Sequence, residues 1–312
     1  MGEPMSTRIN DDWPDVLKAY HKQVRQALSL QALHESAKVA DRVYRVLYLP
    51  SFHPECCLSV ELRGTTGQVR LVTVQTNLWY YAAYKTMANR EQSLSGQRRP
   101  AEPDYWEETA ALDDLESAGF DSCMEALAPH GIQDLDILSF DGIGFEAEFW
   151  KAPDRYHIFY AGNPGHDSAQ YNFAKALYEL SATALRDERS VRILEHIHMY
   201  LGLGLPAKDL GGDPHRVRLF GSIGPDHETE LTLFLDGLSS SEPLLLDLSN
   251  CDGMGTLIYP TFARFLDLRK GAPTVWWATD EVRPHLEALD VPPVNIFNTR
   301  EEAEVALRQM RP

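Results

Sequence analysis

Apolar side chains recur at helical spacing from Trp13 to Leu30, with Val16, Tyr20, Val24 and Leu28 on one stripe, and this predicts an amphipathic helix. The spacing then changes. Val43 to Leu49 is a β-rich run ending at Pro50. Cys56, Leu58, Val60 and Leu62 alternate with Cys57, Ser59 and Glu61, the period of a strand. Gly64-Thr65-Thr66-Gly67 has hairpin-turn composition, and Gln68 to Thr76 supplies the returning strand. Glu107 to Ala118 reads as a helix closed by Gly119. Phe145, Ala147 and Phe149 alternate with Glu146 and Glu148. A second strand, Tyr156 to Ala161, follows the Pro153-Asp154 turn. Helices are expected over Ala169 to Leu185 and Val191 to Leu201. Strands followed by helices indicate an α+β first domain, residues 1–201.

The stretch 202–214 is rich in glycine and proline and reads as a linker. Beyond it, strands and helices alternate. Val217 to Phe220, Pro243 to Leu248, Pro273 to Ala278 and Asn295 to Phe297 are apolar strands. His227 to Leu238, Tyr259 to Leu268, Glu281 to Leu289 and Arg300 to Gln309 are helices. Thr299, followed by Glu302, has the spacing of a capping box for the last of them. Such alternation implies an α/β domain over 215–312 with a mostly parallel central sheet and right-handed crossovers.

One segment of this second domain carries a resemblance. In Leu244 to Leu257, LLLDLSNCDGMGTL, Asp247-Leu248-Ser249 and Asp252-Gly253-Met254-Gly255 stand at the spacing found in STAS domains, the sulfate transporter and anti-sigma factor antagonist family. The flanking strands and helices follow in that family's order, and about a third of the chain is covered. The resemblance implies a regulatory, non-catalytic module that recognises a protein partner through Asp247, Ser249, Asp252, Gly253, Met254, Gly255 and Thr256. It also places Gly253 where kinase-switched members carry a phosphate-accepting Ser, so the usual phospho-switch lacks its hydroxyl, with Ser249 and Thr256 as the nearby substitutes. Independently of the resemblance, Asp252 to Gly255 reads as a tight strand-to-helix turn whose exposed amides suit an anion or a carboxylate.

Composition narrows the function classes. Net charge is −17, and from Pro206 onward ten Lys/Arg face seventeen Asp/Glu, so acidity is shared along the chain. An acidic surface repels phosphate backbones and anionic headgroups, which argues against nucleic-acid and membrane partners. Gln97-Arg98-Arg99-Pro100 is the densest basic run and reads as a solvated loop. Residues Met1 to Asp12 are polar, without the apolar region of a signal peptide, and no run reaches the ~18 apolar residues of a membrane span, so a cytoplasmic protein is expected. The four cysteines read as reduced, buried thiols. Neither a cofactor motif nor a convincing metal set is visible: His196 and His198 diverge on a helix, and His53 with Glu55 lacks a third ligand.

Two rival readings stay open. A hydrolase-like enzyme would draw its acid/base groups from the stretch Asp141 to His157, namely Asp141, Glu146, Glu148 and His157; a solvated strand face explains Glu146 and Glu148 without chemistry. A toxin-neutralising immunity protein fits the acidity and the lack of motifs.

Overall fold

The computed structural model describes residues 13–30, 33, 38, 40–78, 104–135, 142–153, 155–238 and 242–310. The run Gln97 to Pro100, the loop expected from Ala88 to Pro103, and Asp141 lie outside them. The chain divides into two compact units, Met1–Ile197 and His198–Pro312. Among the described residues, no helix is long and apolar enough to cross a membrane.

The first unit is built on a six-stranded sheet. Its strands are β1 (Arg42–Pro50), β2 (Cys56–Arg63), β3 (Thr66–Val74), β4 (Tyr105–Leu112), β5 (Ile143–Lys151) and β6 (Arg155–Gly162), in the order β4-β3-β2-β1-β5-β6. Every strand pairing is antiparallel. The β2–β3 hairpin turns on Gly64 and Thr65. Gly64 takes a φ of 58°, and its amide donates to Asp41 Oδ2 at 2.7 Å. Helix α1 (Trp13–Ala27) lays Tyr20 and Val24, with Leu28 just beyond its end, against Leu47, Cys57, Val72 and Val74 on one sheet face. Helices α2 (Asp114–Leu127) and α3 (Ala169–Ala184) pack against the sheet too. Tyr44 meets Phe120 of α2 and Phe173 of α3, and the Tyr48 hydroxyl donates to the Ala174 carbonyl at 2.6 Å. Helix α4 (Glu188–Tyr200) follows.

The helix expected over Glu107 to Ala118 is instead the edge strand β4 followed by α2. Trp106, Glu108 and Ala110 are half-buried and alternate with exposed Tyr105, Glu107, Thr109 and Ala111. Arg70 on β3 grips Glu107 with a two-pronged contact, Nε to Oε1 at 2.7 Å and Nη2 to Oε2 at 2.9 Å. That grip holds the Glu107 carboxyl down to about 2. Asp113 then caps α2 and exchanges hydrogen bonds with Glu116, a capping box that ends the strand and starts the helix.

The second unit holds β7 (Ala207–Gly211), β8 (His215–Ile223), β9 (Leu244–Met254), β10 (Thr274–Ala278) and β11 (Ile296–Phe297), in the order β11-β10-β9-β8-β7. Its helices are α5 (Glu228–Asp236), α6 (Tyr259–Leu268), α7 (Arg283–Ala288) and α8 (Arg300–Gln309). Val217, Leu219, Leu246, Leu248 and Trp276 face Leu231 and Leu235 of α5, Phe262 and Phe265 of α6 and Leu286 of α7. Each such side chain stabilises the unit by about 1.5–3 kcal/mol. On the opposite sheet face Leu245 and Val275 meet Ala303 and Leu307 of α8.

The expectation of a mostly parallel central sheet does not hold. The sheet is mixed: β8, β9, β10 and β11 pair in parallel, but β7 joins the β8 edge antiparallel, with Ala207 opposite Leu219 and Asp209 opposite Val217. The strand comes from the stretch read as a linker. Its glycines have a local purpose, since Gly211 and Gly212, at φ 58° and 91°, turn the chain back from β7 into β8.

Candidate functional site

The segment singled out by its resemblance runs along β9 and into the start of α6. Asp247 and Ser249 are interior. Arg218 of β8 pairs with the Asp247 carboxylate at 2.8 Å, and the Ser249 amide and hydroxyl donate to Asp247 Oδ1 at 3.1 and 2.7 Å. Register explains the pairing, because Arg218 stands opposite Asp247 in the β8–β9 ladder. Met254 belongs to the core beneath α5 and α6.

The tight turn expected at Asp252 to Gly255 lies further on. Strand β9 stays paired with β8 as far as Met254, helped by register shifts in the ladder. The change of direction comes at Gly255, whose amide donates to the Ile223 carbonyl at 2.9 Å, and in the 3-10 turn Thr256–Ile258 that leads into α6. Asp252 and Gly253 therefore precede the helix start rather than form it. A Cβ at Gly253 would have His285 Nε2 as its nearest neighbour, at 3.9 Å. The other imidazole nitrogen of His285 lies 2.7 Å from the Tyr259 hydroxyl. Asp252, Thr256 and Leu257 are exposed, Leu257 to 69%. Of the seven residues, then, Asp247, Ser249 and Met254 hold the unit together, and Asp252 and Thr256 reach the surface, with Gly253 and Gly255 half-buried between them.

Of the described residues of the hydrolase reading, Glu146 and Glu148 share a sheet face, and His157 is not brought to them. Glu148 and His157 stand on opposite faces of the first sheet. Glu148 shares its face with Arg45, its partner in the β1–β5 ladder, whereas His157 lies opposite Phe149 and its Nε2 is 2.6 Å from the Ile132 carbonyl. The solvated-face reading fails as well: Glu146 and Glu148 are 3% and 4% exposed.

Cations compensate these two carboxylates. Arg45 Nη1 is 2.9 Å from Glu148 Oε2. Arg25 of α1 pairs with Glu146 and, at 3.0 Å, with Glu148 Oε1. The Tyr156 hydroxyl lies 3.3 Å from Glu148 Oε1, and Tyr160 stacks on His21 at 6.1 Å between ring centres. Burial and the nearby Arg25 charge hold the His21 imidazole below its ordinary value, outweighing Glu146 at 3.7 Å. The alternation around Phe145 to Phe149 located the strand correctly; what it could not supply was the helix that covers its polar face. A further buried acid, Glu55, is satisfied by hydrogen bonds. Glu55 accepts from the Tyr20 hydroxyl and from the Leu78 amide at 2.8 Å, and the His53 ring lies against that of His196, 4.0 Å between centres and tilted by 33°.

Comparison with known proteins adds little. No protein-family model matches the chain, and no curated protein matches it. A solved structure described as "Crystal Structure Analysis of Mglu" is similar at 14% identity with a TM-score of 0.22, over 61% of this chain and 45% of that one. The chain thus spans less than half the length of that relative.

Proposed function

We propose that the second unit is a non-catalytic module that binds a protein partner through the exposed segment Asp252 to Leu257. The observation that carries this reading is the presentation of Leu257, 69% exposed, beside exposed Asp252 and Thr256 where β9 passes into α6. An apolar side chain ringed by polar ones is the usual make-up of a contact centre, with the polar groups setting register. The resemblance of Leu244 to Leu257 to STAS domains supports a regulatory role. Gly253 offers no hydroxyl, so the module is competent for its partner without phosphorylation. Ser249, turned inward onto Asp247, is a poor substitute acceptor, whereas Thr256 is accessible.

The test is capture of the partner from the native host on immobilised full-length protein, followed by affinity measurement with the purified partner. Leu257→Glu and Asp252→Lys should each weaken binding at least about tenfold, the scale of a lost interface anchor, while circular dichroism and melting stay unchanged. Undiminished affinity in both folded variants would refute this surface.

A further inference from the structure

We propose that His53 and His196 form a two-imidazole site for a divalent transition ion, of the class of zinc or copper(II), in the first unit. The site rests on the residues of that unit alone. Along the sequence His53 has Glu55 for its neighbour and His196 has His198, and neither couple makes a ligand set. Folding joins the two histidines instead. His53 stands in the connection between β1 and β2, His196 stands on α4, and their ring centres are 4.0 Å apart.

The geometry suits one shared ion. Ligand nitrogens of the two rings lie within 4.8 Å of each other. Two imidazole nitrogens at 2.0–2.1 Å from a tetrahedral ion are about 3.3 Å apart, so a small turn of one ring is enough to bring both onto it. The rings are tilted by only 33°, so they stand side by side and a ring edge of each can face the same point. Both residues are half-buried, which lets an ion enter and leaves its remaining positions to water.

Each ligand is held by its surroundings before any ion arrives. Pro54 restricts the His53 backbone to extended conformations. The Asn77 side-chain amide donates to the His53 carbonyl at 2.8 Å, and the Ser51 amide and hydroxyl both donate to the Gly142 carbonyl at 3.0 Å. On α4, buried Ile193, Leu194 and Ile197 fix the helix and set His196 on its flank. Two ligands on two fixed elements lose little freedom on binding, which favours affinity. The donor set decides the class of ion. Imidazole nitrogen suits copper, zinc and nickel, whereas magnesium and calcium require oxygen ligands. The net charge of −17 raises the concentration of any divalent cation near the chain.

The experiment uses the full chain, stripped of metal by a chelator and titrated with zinc in a calorimeter. Saturable binding of one zinc per chain is expected, with a rise in melting temperature. His53→Phe and His196→Phe should each weaken it at least about tenfold. Phenylalanine keeps the ring contact and removes the nitrogen, so a merely structural pairing of the rings leaves zinc affinity unchanged. Copper(II) in the unaltered protein should show electron-spin coupling to two imidazole nitrogens, and to fewer in either variant. Excess magnesium should not displace the zinc. If a variant does not fold, zinc must shield both His53 and His196 of the unaltered protein from diethyl pyrocarbonate, as mapped by mass spectrometry. Absence of saturable binding, undiminished affinity in either folded variant, or failure to shield either histidine overturns the site.

Discussion

Arg218 reaches across from β8 and sets both its Nε and a terminal nitrogen 2.8 Å from the same oxygen, Oδ2, of Asp247. Both residues are almost wholly buried, so this is an interior ion pair and not a part of a docking surface. Removing one partner leaves the other charge without compensation. Asp247→Asn should destabilise the second unit by about 3–5 kcal/mol, whereas the double change Arg218→Met, Asp247→Leu should recover most of that loss. Urea denaturation of the three proteins checks this, and equal stability of the single variant would show that the pair contributes nothing.

Independent folding of the second unit depends on where it is cut. A fragment His198–Pro312 keeps β7 and the partly buried Leu205 and Ala207 that pack on the core. A fragment beginning at Leu210 loses them and should be less stable by about 2 kcal/mol or more, mostly from Leu205. Thermal melts of the two fragments decide it: equal midpoints would mean that β7 is dispensable.

Thiol chemistry should separate the four cysteines. Cys56, Cys57 and Cys251 are buried, and burial pushes the Cys57 thiol up to about 11 and that of Cys251 up to about 12. Cys123 on α2 is exposed, contrary to the expectation that all four are buried. Titration of the native protein with an aromatic disulfide at neutral pH should consume a single thiol, and Cys123→Ser should abolish that reaction. All four should react once urea unfolds the chain.

His21 makes the attachment of α1 sensitive to acid. In the unfolded chain it titrates near 6.5, and in the folded unit burial and Arg25 hold it lower. Between those two values the unfolded chain binds the extra proton, so the His21 contribution is fully present above about 6.5 and is lost as pH falls towards the folded value. Melting temperatures from pH 7.5 to 5.5 should drop more steeply for the unaltered protein than for His21→Gln. Parallel curves would assign the acid sensitivity elsewhere.

What could be read from the sequence was whatever a residue's near neighbours decide. Helix α8 starts and ends where Thr299 and the following apolar spacing place it, and the Thr299 hydroxyl does accept the Glu302 amide, at 3.3 Å. The β2–β3 hairpin is local in the same way. The misreadings all turn on distant partners. Ala207 to Gly211 is a strand only because β8 offers it a free edge. Tyr105 to Leu112 is extended because β3 pairs with it. Glu148 looks like one half of a solvated stripe until Arg45, 103 positions earlier, is set opposite it. At the candidate surface, register along β9 decided which of the singled-out residues turned inward, and spacing alone carries no trace of it.

Strand β7 also governs what the molecule avoids. Without it, the nine residues of β8 would form the margin of the sheet and present a row of unpaired amides and carbonyls to any second copy. β7 covers part of that row with five residues, carries Lys208 and Asp209 on its own short rim, and breaks the ladder with an irregularity between Asp209 and Gly211. Charge, brevity and a bulge are the features that discourage edge-to-edge addition. A chain trimmed into β7 should therefore become sticky as well as less stable, its β8 margins joining into dimers and larger species. The hairpin from Ala207 to Ile223 is, in that sense, the element that keeps this sheet to itself.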